Sequence, residues 1–193
     1  MESEDWFGFV FSFYGLLLGL SVAVVLSSFA RALKSRPKVR MGWLTALLGI
    51  FIILDVTSFW SGAWRARDWF APEYGHLFIG LLVTGLYYFA ASLVFPDLDQ
   101  AKTEQDFDAH YFENRRRILL AVGFCNLALF GWQDYLELDD LPLAWWLSVP
   151  TYFALLIAAA IVRSRTLSIA CLIGLIGIYL SSAALSIVWP WRG

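Results

Sequence analysis

Asp55 lies about 20 Å along a helix begun at Met41, in the middle of an apolar run. A carboxylate at that depth in lipid costs several kcal/mol, about 2.5 to 3.5 on insertion scales, unless it is paired or hydrated. It must therefore face other helices. His76, Thr84, Asn126, Gln133 and Asp134 complete a candidate outer polar cluster around it. A carboxylate beside an imidazole can exchange protons near neutral pH, which is the chemistry of a relay or a proton-coupled transporter. The competing reading is a hydrogen-bonded Asp55 that fixes helix register and moves no proton.

A second grouping lies between residues 96 and 117, where Asp97, Asp99, Asp106, Asp108 and His110 precede Arg115, Arg116 and Arg117. Several carboxylates suit a hard divalent cation or phosphate chemistry, hence a lipid-headgroup enzyme. The spacing matches no calcium loop, and a solvated acidic turn followed by arginines on lipid phosphates explains the same residues, so no metal is assigned. Thr103 is expected to cap a helix here with Asp106 answering it, the helix running on unbroken into an apolar span. Phe107, His110, Tyr111 and Asn114 would share one face of it, lying in the interface plane.

The elements carrying these residues follow from hydropathy. Of 193 residues 60% are hydrophobic and only 16% charged, which rules out disorder and an ordinary soluble domain. Six segments have the roughly 20 apolar residues needed to cross a bilayer. They fall at about 7–30, 41–63, 76–95, 118–136, 142–162 and 166–188. The expected fold is a single all-α domain over 1–193, an integral membrane bundle of six transmembrane helices. Pro150 lies inside the fifth and is expected to kink it.

Basic residues fall on alternate loops. Arg31, Lys34, Arg36, Lys38 and Arg40 join spans one and two, Lys102 and Arg115 to Arg117 join three and four, and Arg163 and Arg165 join five and six. Only Arg65, Arg67 and Arg192 lie on the other side. The positive-inside rule then puts both termini outside, in the periplasm of a bacterial cell, with the 96–117 loop in the cytoplasm. Arg31, Lys34, Arg36, Lys38, Arg40 and Arg115 to Arg117 are the expected lipid-phosphate contacts.

Nine of the ten tryptophans fall on the outer side. Trp60, Trp64, Trp69, Trp132, Trp145 and Trp146 form an aromatic rim there, read either as an interfacial belt or as the lining of a pocket for an apolar ligand. Gly15, Gly19, Ala23 and Ser27 make a small-residue line on span one, and Ala170, Gly174, Gly177 and Ser181 make another on span six. Such lines let helices approach closely, within the chain or between copies. Cys125 and Cys171 have no Cys-x-x-Cys spacing and read as packing residues.

Tyr87-Tyr88-Phe89-Ala90, Phe95-Pro96-Asp97, Asp106-Phe107 and Tyr111-Phe112 before paired arginines resemble a group of small bacterial multi-span proteins. The resemblance, over residues 87–117, implies a multi-pass protein of the inner membrane and no particular activity. Histidine boxes, a Walker loop, a zincin helix and a Gly-x-Ser-x-Gly elbow are all lacking. His76 and His110, on opposite sides, cannot ligate one haem, and no cofactor is implied. The expectation is a binding or accessory module for an apolar ligand or membrane partner, with lipid as its surroundings. The rivals are a small proton-coupled transporter or channel centred on Asp55 and an enzyme using the acidic loop.

Overall fold

The computed structural model describes residues 3–34, 39–40, 42–65, 73–97, 105–137 and 143–188. The apolar runs become helices, which satisfy their own backbone groups without help from solvent. They are α1 (Ser3–Lys34), α2 (Trp43–Arg65), α3 (Tyr74–Leu93), α4 (Phe107–Glu137), α5 (Leu143–Ile161) and α6 (Arg165–Val188). Two short strands, β1 (Val39–Arg40) and β2 (Gln105–Asp106), pair in parallel, Val39 opposite Gln105. Among the described residues, four helices are long and apolar enough to cross a membrane: Gly8–Lys34 within α1, α2, α3 and α6. Within α5, Trp146–Ile161 is a shorter apolar stretch.

Helix α2 is the hub of the bundle. It packs against α1, α3, α4 and α6, while α3 also meets α1 and α4, and α5 lies between α4 and α6. Its core stripe follows helical spacing: Leu44, Leu48, Phe51, Ile52, Asp55 and Val56 are all buried, so the carboxylate occupies a position its neighbours on the stripe give to hydrocarbon. The opposite is true outside. Leu16, Leu20, Leu26, Ile50, Phe89, Phe124, Ile157 and Leu185 are among many large apolar side chains left exposed.

Polar contacts tie one end of the bundle together. Asp106 Oδ1 accepts the backbone N–H of Asp108 at 2.9 Å and of Ala109 at 3.3 Å, so Asp106 itself caps α4. The helix therefore begins after the acidic residue expected to answer the cap, and Thr103 lies outside the described residues. Asp108 reaches across to α2, where its Oδ1 accepts the Leu44 N–H at 3.3 Å, and its Oδ2 pairs with Arg165 of α6 at 2.8 Å. His110 Nε2 lies 3.0 Å from the Leu93 carbonyl at the end of α3. The same end thus gathers the starts of α2, α4 and α6 and the finish of α3.

The stretch before Ile118 is the first turns of α4, and α4 runs unbroken from Phe107 to Glu137, as expected. Its shared face does not lie along an interface. Phe107, Tyr111 and Asn114 are buried and His110 is half-buried, because this face packs inward against the bundle.

The two small-residue lines meet different neighbours. Helix α1 packs on α2 and α3, and α6 packs on α2 and α5, so the two lines do not face each other as a helix pair. Gly15 accommodates the indole of Trp60: a Cβ there would overlap the Trp60 ring. Gly19 faces open space, and Ala23 and Ser27 are exposed. On α6, Gly174 lies against Leu155 of α5, while Gly177 and Ser181 face outward.

Candidate functional site

Five helices converge on Asp55, which has no exposed surface. Helical spacing brings each partner to it. Tyr87 continues the α3 stripe Val83, Thr84, Ala90 and Ala91; Asn126 follows Val122 and Cys125 on α4; Tyr152 precedes Leu156 and Ala159 on α5; Tyr179 follows Leu172 and Leu175 on α6. The Tyr87 hydroxyl donates to Asp55 Oδ2 at 2.8 Å and the Tyr152 hydroxyl to Oδ1 at 2.8 Å. The Tyr179 hydroxyl also donates to Oδ1. Asn126 Nδ2 donates to Oδ1 at 3.0 Å and Oδ2 at 3.1 Å, and lies 3.1 Å from the Val122 carbonyl of its own helix.

An ionised carboxylate is an acceptor with about four lone-pair sites. Three phenols and one amide fill that capacity. The rings are themselves packed: Tyr152 and Tyr179 meet edge to face at 6.0 Å, and Phe59 meets Tyr87 at 5.1 Å. Rotating one phenol away would therefore disturb its aromatic neighbour as well as its hydrogen bond. The arrangement satisfies the carboxylate and ties five helices together.

Of the residues grouped around Asp55 from sequence, Asn126 meets it directly. Thr84 is buried nearby on the α3 stripe, but its hydroxyl donates to the Gly80 carbonyl at 2.8 Å. His76 lies in the first turn of α3, about 16 Å along the helix from Tyr87, and its Nδ1 is 3.9 Å from Glu73. Gln133 and Asp134 belong to α4, and their side chains lie outside the described residues. The three tyrosines were missed. Their signal was available, since a phenol in the middle of an apolar run must find a partner for its hydroxyl.

The tryptophans divide. Trp60 turns inward, 4.5 Å from the Phe11 ring and against Gly15, whereas Trp64 and Trp146 are exposed. Trp69 lies outside the described residues, as do the side chains of Trp132 and Trp145. Beside Trp60 is an apolar cavity of about 60 Å³, lined by Tyr14, Gly15, Leu18, Phe59 and Thr84 among others. A second, more open recess of about 340 Å³ runs between the first turns of α1 and α3, lined by Phe9, Phe13, Tyr14, Tyr74, Phe78 and Leu81. Val10 and Tyr14 border both. The Tyr14 hydroxyl is held by the Leu77 carbonyl of α3, and its ring fills the space left by Gly80.

Among the described residues, the acidic side chains between Asp97 and Asp108 do not gather into one group. Asp97 and Asp106 are exposed, Asp108 and His110 serve the helix ends described above, and Asp99 lies outside the described residues. Among the described residues no group of three or more His, Cys, Asp or Glu side chains could hold a metal ion.

The basic residues also separate. Arg115 is 3% exposed and reaches the end of α5, donating to the Ala159 and Ile161 carbonyls at 3.3 Å each and to that of Val162. Its guanidinium lies 4.8 Å from the Phe112 ring centre. Arg31, Lys34, Arg116 and Arg117 are exposed; Arg36 and Lys38 and the Arg40 side chain lie outside the described residues.

No family model, no curated protein and no solved structure matches this chain.

Proposed function

We propose that the chain is a six-span protein of a bacterial inner membrane, with both termini outside, serving as a binding or accessory module for an apolar ligand. The observation that carries the ligand reading is the pair of apolar recesses that share Val10 and Tyr14 at the α1–α3 seam. A pocket lined by aromatic and aliphatic groups gains by excluding water from a hydrocarbon or flat ring. The orientation draws support from the bundle's polar end, where Arg116, Arg163 and Arg165 share one pole with the finish of α1, bearing Arg31 and Lys34. Lipid would cover the outward leucines and phenylalanines.

A transporter centred on Asp55 has less support, because every lone-pair site of the carboxylate already has a protein donor. An enzyme at the acidic loop has less still, since Asp106 and Asp108 are spent on helix ends and an ion pair.

The test uses purified full-length chain in dodecyl maltoside and cis-parinaric acid, a fluorescent fatty acid. Ala63→Trp, at the wall of the smaller cavity, should weaken binding about tenfold, while Leu167→Ala in the first turn of α6, at the opposite pole, should leave it unchanged. Equal affinity in all three proteins would remove the ligand reading. Labelling of a cysteine placed at Lys34 from outside intact cells would remove the orientation.

A further inference from the structure

At the pole opposite the apolar seam, Arg115, Arg116 and Arg163 line a recess of about 430 Å³ together with Phe112 and Glu113. Helical spacing puts Phe112, Arg115 and Arg116 on adjoining positions of α4, and Arg163 comes from the short link between α5 and α6. Arg115 is fixed by the last carbonyls of α5 and by the Phe112 ring. Two of its nitrogens are committed there, but its Nε–H is buried and has no hydrogen-bond partner among the described residues. Arg115 is thus a buried, fixed cation beside the recess. Arg116 and Arg163 are exposed and add two further planar guanidinium groups. The neighbouring Arg165 is already paired with Asp108.

We propose that this recess binds a phosphate ester, with Arg115 as the rigid floor and Arg116 and Arg163 as the closing pair. Guanidinium forks match phosphate oxygens two at a time, which Arg116 and Arg163 can offer, and three cations against one carboxylate leave the recess with a net charge of about +2. The C-terminal end of α5 would repel an anion, and Arg115 cancels that field by bonding its carbonyls. Glu113 then accepts from a hydroxyl or ammonium on the ester's other substituent. The chemistry is that of a glycerophospholipid headgroup and equally of a soluble phosphate ester. It does not depend on the apolar seam.

Calorimetric titration of the full chain in dodecyl maltoside distinguishes the sources, using inorganic phosphate, glycerol 3-phosphate and dihexanoyl phosphatidylglycerol. Arg115 is left intact because its loss would free the end of α5. Saturable binding with one site is expected, weakened about tenfold or more by Arg116→Ala with Arg163→Ala. Arg31→Ala with Lys34→Ala, two exposed cations outside the recess, should stay within about twofold of the parent. Binding of the lipid alone assigns a headgroup site, and comparable binding of glycerol 3-phosphate assigns a soluble ester. The proposal is overturned if no probe binds, if the Arg116 and Arg163 double variant binds like the parent, or if the control pair loses as much.

Discussion

A double-mutant cycle between Asp55 and its three phenols tests whether the buried carboxylate is a structural clasp. Each Tyr→Phe change at 87, 152 or 179 deletes one hydroxyl donor to Asp55. Bonds to charged groups are worth about 1.5–3 kcal/mol in soluble folds, but hydrogen bonds between membrane helices average about 0.6 and reach about 1.7. About 1 kcal/mol per phenol is a fair working value, so the triple Phe variant loses about 3 kcal/mol. At about 2–4 °C per kcal/mol for a chain of this size, its Tm falls by about 6–12 °C. Asp55→Leu in the parent strands three hydroxyls and one amide at about 1–3 kcal/mol each, part of which the 3.3 Å contact of Asn126 with the Tyr87 oxygen recovers. The expected cost is about 3–6 kcal/mol. In the triple Phe background the same substitution strands only Asn126 and removes a carboxylate that has lost most of its donors, so it should be close to neutral. Unfolding by sodium dodecyl sulfate, followed by tryptophan fluorescence, measures all four corners. Equal cost of Asp55→Leu in the two backgrounds would refute the clasp.

Asp108→Ala should remove the reach across to Leu44 and the partly exposed pair with Arg165, for a loss of about 1–2 kcal/mol and a Tm lower by about 2–8 °C. An unchanged Tm would mean that this end of the bundle is held by apolar packing alone. Gly80→Val places carbon within 2.8 Å of the Tyr14 ring, displacing it from Leu77; overpacking of this kind costs about 1–3 kcal/mol, readable in the same unfolding assay.

The helices were legible because hydrophobic length is a strong signal. Polar residues in apolar runs were equally readable: Asp55 and Asn126 had to turn inward, and they meet. The three tyrosines were harder, since tyrosine is at home both in a core and at an interface, and only the distance of each from its helix ends separates the two. His76 was drawn to Asp55 by chemistry, yet Tyr87, three turns further along α3, occupies that place. Glycine spacing suggested a helix seam, but at Gly15 the space admits an indole instead of a backbone. Arg115 sits in a run of three arginines, and nothing local distinguishes the buried one from its exposed neighbours. Only the arrival of the α5 carbonyls does so.

All four donors around Asp55 are synthesised after α2, and half of them, Tyr152 and Tyr179, come only with the last two helices. A nascent chain halted before α5 has only Tyr87 and Asn126 on the carboxylate, an unfinished state that should be open to quality-control proteolysis. Pulse-chase of chains stopped after Glu137 should reveal faster turnover than the same truncation carrying Asp55→Leu, and equal lifetimes would argue against that surveillance. Completion of the fold is thereby written into a single carboxylate.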